Sequence, residues 1–111
     1  MDDDMKYFIK NSQRIKGKTA YFEFLPGRYR NRSWNRNSIY LAPELVDRSG
    51  MEAYIKGFDY YGVTEVEIQE LYELGDRVTE SDPLLSEIVN ELLNWVYAMA
   101  EEPKCITIIG M

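Results

Sequence analysis

The apolar positions of this chain follow a period of two near its start and a period of three to four in its second half. The first spacing belongs to strands and the second to helices. In "MKYFIK" (5–10), Met5, Tyr7 and Ile9 alternate with Lys6 and Lys10, and Phe8 on the polar side predicts a strand partly covered on both faces. In "TAYFEFL" (19–25), Ala20, Phe22 and Phe24 share one face, while Tyr21 and Glu23 share the other. Turn formers over 11–18, ending at Gly17, separate the two runs and predict an antiparallel hairpin with a wide loop. Pro26-Gly27 stops the second strand. "SIYLA" (38–42) predicts a third, short one. Pro43 suits the first turn of a helix over 43–49, Gly50 interrupts it, and 51–57 adds a further turn or two.

The stretch 58–66 supports two readings. Thr64 and Glu67 form a capping box that would start a helix at 65. The alternation of Val63, Glu65 and Glu67 against Thr64, Val66 and Ile68 would instead carry a strand to about 66. Beyond it, Ile68, Leu71, Tyr72 and Val78 predict a helix over about 67–79, with Glu67, Glu70 and Glu73 on its other side. Gly75 weakens that helix by roughly 1 kcal/mol relative to alanine.

Ser81 or Asp82 can cap the next helix, Pro83 opens it, and an apolar stripe of Leu85, Ile88, Val89, Leu92, Val96 and Met99 predicts a helix over 83–102. Leu84, Leu93, Trp95 and Tyr97 widen the stripe, as expected for a helix laid broadly across a sheet. "KCITIIG" (104–110) is apolar on both sides, which predicts a central strand. The pattern predicts an α+β domain spanning 1–111: a small, mainly antiparallel sheet with helices packed on it.

Charge adds an asymmetry that periodicity does not show. The formal net charge is −6. Residues 1–60 hold 11 Lys/Arg against 8 Asp/Glu, whereas 61–111 hold 2 against 11. Such a split points to a charged partner or to one half docking on the other. "RYRNRSWNRN" (28–37) concentrates arginine, tryptophan and tyrosine in one predicted loop.

Several chemistries are excluded or disfavoured. There is no histidine, which removes the commonest general base, the commonest metal ligand and every histidine-assisted nucleophile. Cys105 is the only cysteine, so no disulfide framework exists, and its place in an isoleucine strand marks it as an inert core residue. No phosphate-binding glycine loop or calcium loop appears, and no cofactor or metal is expected. The acidic start and the lack of a long apolar run predict a cytoplasmic protein without a membrane segment.

Two surfaces remain as candidates. One is the acidic row Glu65, Glu67, Glu70, Glu73 and Asp76, which Glu80 would extend. A solvated helix face explains such a row; so does a surface that meets a basic partner. The other is Arg28, Tyr29, Arg30, Arg32, Trp34 and Arg36. Arginine and aromatics suit phosphates and bases, but a net acidic chain repels a polyanion, so nucleic acid is the weaker partner. Trp, Tyr and Arg also dominate protein interfaces, and the arginines could equally serve as counter-ions for the acidic half. The expectation is a binding protein, not an enzyme.

"FDYYGVTEVEIQELYELGDRV", the long amphipathic helix and the terminal "ITIIG" strand resemble the small immunity proteins of bacterial contact-dependent growth-inhibition systems. The resemblance covers 58–111. It implies a cytoplasmic protein that binds and neutralises one cognate toxin domain, often a nuclease with a basic cleft that an acidic surface can occupy. It carries over no functional residue.

Overall fold

A computed structural model of the chain describes residues 5–10, 21–28, 38–78, 82–99 and 101–110. Within them lie β1 (Phe8–Lys10), β2 (Phe22–Pro26), β3 (Ile39–Leu41), α1 (Pro43–Ser49), α2 (Met51–Tyr54), β4 (Val63–Glu67), α3 (Ile68–Val78), α4 (Pro83–Tyr97) and β5 (Cys105–Ile109). The strands form one antiparallel sheet in the order β1-β3-β2-β5-β4. The helices pack on it, so the α+β class holds.

Register divides the sheet into two faces. Phe8, Leu41 and Phe22 align across one row, and Phe24, Ile108 and Thr64 across another. These rows face the helices: Phe8, Phe22, Phe24, Ile39, Leu41, Val66, Ile106 and Ile108 share one core with buried residues of all four helices. The ring of Phe8 meets that of Phe24 edge-on at 5.1 Å. The back face carries Ile9, Tyr40, Glu23, Leu25, Thr107, Cys105, Val63, Glu65 and Glu67.

α4 anchors the core. Asp82 caps it by accepting the N–H of Leu85 at 3.2 Å, and Pro83 follows as predicted. Leu85, Ile88, Val89, Leu92 and Val96 are buried, each contributing roughly 2 kcal/mol of apolar burial. The helix ends at Tyr97, five residues before the predicted 102. Those five residues would have carried it about 7 Å further. Only Pro103 and Lys104 would then remain to bring the chain back to β5. Tyr97, expected to widen the apolar stripe, is 60% exposed.

The predicted hairpin of the first two strands does not form, because β3 lies between β1 and β2 and pairs with both. All three residues of β3 are buried, so this strand needs a neighbour on either side. β1 ends in exposed Lys10 and suits an edge. β5 lies between β2 and β4 with Cys105, Ile106, Thr107 and Ile108 buried, as its apolar run predicts. Gly50 separates α1 from α2 at φ 71°, a left-handed conformation that favours glycine.

The ambiguous stretch resolves as a strand. Thr64 does not cap a helix: its Oγ1 accepts the N–H of Asp59 at 2.8 Å and braces the turn before β4. Capping falls instead to Glu70, whose Oε1 accepts the N–H of Glu67 at 3.3 Å as α3 begins. Every second residue of β4 is buried, which sets its other positions in solvent.

Candidate partner-binding surface

β4 is one edge of the sheet, opposite β1. Along it Val63, Glu65 and Glu67 are exposed while Thr64 and Val66 are buried. Tyr61, in the turn just before, is 79% exposed, and Val63 is 44% exposed. Two of the three exposed large apolar side chains among the described residues therefore stand at the start of this strand; the third is Tyr97. A tyrosine and a valine in solvent beside a pair of carboxylates give apolar area together with directed charge.

One described residue of the arginine-rich candidate, Arg28, reaches the acidic row here. Arg28 follows β2, and its Nε stands 4.0 Å from Glu65 Oε1, with both side chains largely exposed. An exposed pair at that separation contributes little to stability. Arg28 also lies near Cys105 on the back face. Burial, with Glu65, pushes the Cys105 thiol up, and Arg28 acts in the opposite direction. A buried thiol held protonated is a poor nucleophile, which fits the inert role expected of it. Thr107, fully buried between them, donates its hydroxyl to the Gly27 carbonyl at 2.7 Å and ties the end of β2 to β5.

The acidic row is not one flat surface. Glu65 and Glu67 lie on the back face at the β4 edge. Glu70 and Glu73 lie on α3, where with Arg77, Tyr54, Ile55 and Leu74 they line a small hollow of about 200 Å³. Arg77 donates to the Tyr54 carbonyl at 3.1 Å across it. Asp76 is exposed further along α3. The link between the two parts is the Glu70 carboxylate on the Glu67 N–H. Of the arginine-rich candidates, Arg28 is described; Tyr29, Arg30, Arg32, Trp34 and Arg36 lie outside the described residues, as does Glu80.

The exposure of Tyr61 and Val63 was not anticipated from sequence. The alternation of 63–67 was visible, but nothing in it distinguishes an edge strand from an inner one. Equally illegible was a second cluster, where the lead into β1 meets α4. Glu91 accepts the N–H groups of Lys6, Tyr7 and Phe8 at 2.8, 2.9 and 2.8 Å. Glu87 accepts from the Tyr7 hydroxyl and pairs with Lys6 Nζ at 3.4 Å. These groups line a groove of about 550 Å³ with Trp95 and Asn94. The Glu91 carboxylate is already occupied by the protein's own donors, which gives this groove a structural role.

Among the described residues no group of three or more cysteines or acids is arranged to hold a metal ion. Among them, too, no helix is long and apolar enough to cross a membrane. No family model, curated protein or solved structure matches the chain.

Proposed function

We propose that this chain is an immunity-type inhibitor, which binds a bacterial toxin domain in the cytoplasm and neutralises it by protein–protein contact, without catalysis of its own. The observation that carries this reading is the exposure of Tyr61 and Val63 beside Glu65 and Glu67 on one sheet edge. Paired carboxylates suit a basic cleft such as that of a nuclease, where they replace substrate phosphates. Complementary charge speeds encounter and rejects wrong partners. The neighbouring tyrosine and valine supply the area that charge alone does not. The rival reading of segment 28–37 as a nucleic-acid site draws no such support, since Arg28, its one described arginine, faces Glu65.

The test is protection. The chain is co-expressed with the C-terminal domain of the protein encoded immediately upstream, and growth is followed. Wild type should restore growth and bind one-to-one, and the double variant Glu65→Lys, Glu67→Lys should lose both. Absence of protection and of any association by wild type would sink the reading. Retained protection by the double variant would move the contact away from β4.

A further inference from the structure

Among the described residues β4 has a strand on one side only, and the backbone groups of its other side can be assigned from its pairing with β5. Gly62 accepts the N–H of Gly110 at 2.7 Å, and Ile68 gives its N–H to Lys104 at 3.0 Å. In an antiparallel ladder, hydrogen-bonded pairs recur at every second residue. Here they fall on Thr64 with Ile108 and Val66 with Ile106. The N–H and C=O groups of Val63, Glu65 and Glu67 therefore point away from β5. Glu70 takes the N–H of Glu67. The N–H and C=O groups of Val63 and Glu65 bond to no described residue. An unfilled row of this kind is a template for another strand.

We infer that the partner binds by adding an extended basic segment to this edge, antiparallel to β4. The inference rests on the inhibitor reading and specifies how its partner docks. The side chains of Val63, Glu65 and Glu67 share the back face, with alternate positions about 7 Å apart. Residues directly opposite them on an added strand project to the same face. The matching segment thus reads, from its N-terminus, basic, any, basic, any, apolar. Its first basic residue meets Glu67, its second meets Glu65, and its apolar residue meets Val63. The second basic residue takes over from Arg28 as the counter-ion of Glu65.

A second copy of this chain is the wrong occupant. Two β4 edges paired about Glu65 would set that carboxylate opposite its own copy and Val63 opposite Glu67. Like charges directly opposed are destabilising. The same carboxylates that reject self-pairing attract a lysine- or arginine-bearing strand.

The probe is a capped pentapeptide, Lys-Thr-Lys-Thr-Val, titrated into isotope-labelled protein and followed by amide shifts and hydrogen exchange. Its control, Val-Lys-Lys-Thr-Thr, has the same composition but puts its lysines on opposite faces. Strand addition predicts protection of the Val63 and Glu65 amides by the first peptide and binding about tenfold weaker by the second. Val63→Pro removes an outward N–H, a change that an edge strand tolerates, and should abolish the protection. A peptide N-methylated at the amides that face β4 should fail on the wild-type chain, which covers the case in which the proline variant does not fold.

Equal binding of both peptides, or binding undiminished by the proline and by N-methylation, would mean contact by charge alone and overturn strand addition. Binding of neither peptide would overturn it as well. A concentration-dependent dimer that protects the same two amides would assign the edge to a second copy and likewise overturn it. In each case the inhibitor reading stands or falls separately, on the protection assay.

Discussion

The Glu91 carboxylate on α4 holds Tyr7 by its backbone N–H at 2.9 Å, and the same oxygen takes the N–H of Phe8 at 2.8 Å. With Lys6 on its other oxygen, one side chain satisfies three consecutive backbone donors at the lead into an edge strand. Among the described residues β1 has a neighbour on one side only, so this clamp does what a second strand would otherwise do.

Glu91→Ala leaves three donors without their acceptor and should destabilise the fold by about 2 kcal/mol. Glu91→Gln keeps one acceptor oxygen and should cost about half as much. Urea denaturation gives the sizes. Faster exchange of the Tyr7 and Phe8 amides, with the β5 amides unchanged, would locate the loss at β1.

Gly75→Ala should stabilise the protein. A methyl group there would sit 3.5 Å from Leu93 Cδ1 and 3.6 Å from Val89 Cγ1, ordinary contact between α3 and α4. The helix then gains roughly 0.5–1 kcal/mol in propensity and unfolded-state entropy. A rise in thermal midpoint checks it, and a fall would mean that the two helices pack more tightly than these distances imply.

Gly110→Ala should act in the opposite sense. Its added carbon would press on the carbonyl oxygen of Tyr60 and lie 3.0 Å from that of Asp59, both backbone atoms in the turn before β4. Overpacking against backbone costs roughly 2 kcal/mol. It also strains the bond from the Gly110 N–H to Gly62. Gly62→Ala is the control, because its nearest obstacle is the Asp59 carboxylate, a side chain able to swing away. Denaturation midpoints should rank wild type first, the Gly62 variant second and the Gly110 variant last.

Tyr72 donates its hydroxyl to the Glu102 carboxylate and stacks on Tyr97 at 6.1 Å. The acceptor carboxylate, followed by partial burial, pushes the Tyr72 pKa up to about 12. The folded state thus favours the protonated phenol. Its contribution is fully present below the ordinary tyrosine pKa near 10 and is lost as pH rises from there through about 12. Ultraviolet titration of Tyr72→Phe should lose one late-ionising tyrosine relative to wild type, and the variant's stability should fall less steeply over that window.

Elements whose cause is local were legible along the chain alone. Asp82 and Pro83 start α4, Gly50 ends α1, and the buried stripe from Leu85 to Val96 needs no knowledge of its neighbours. Even the central place of β5 was written in its isoleucines, because a strand apolar on both sides must be covered on both. Pairing was different. Nothing local distinguishes a β1–β2 hairpin from a sheet in which β3 separates them, since either buries the same phenylalanines. The end of α4 at Tyr97 was also non-local, imposed by the short span left to reach Cys105. The proposed partner surface followed the same division. Glu65 and Glu67 stood out as charges, but which strand is an edge, which backbone groups stay open and which side chains flank them depend on strand order. Strand order is set by contacts between residues far apart along the chain, which no local pattern reveals.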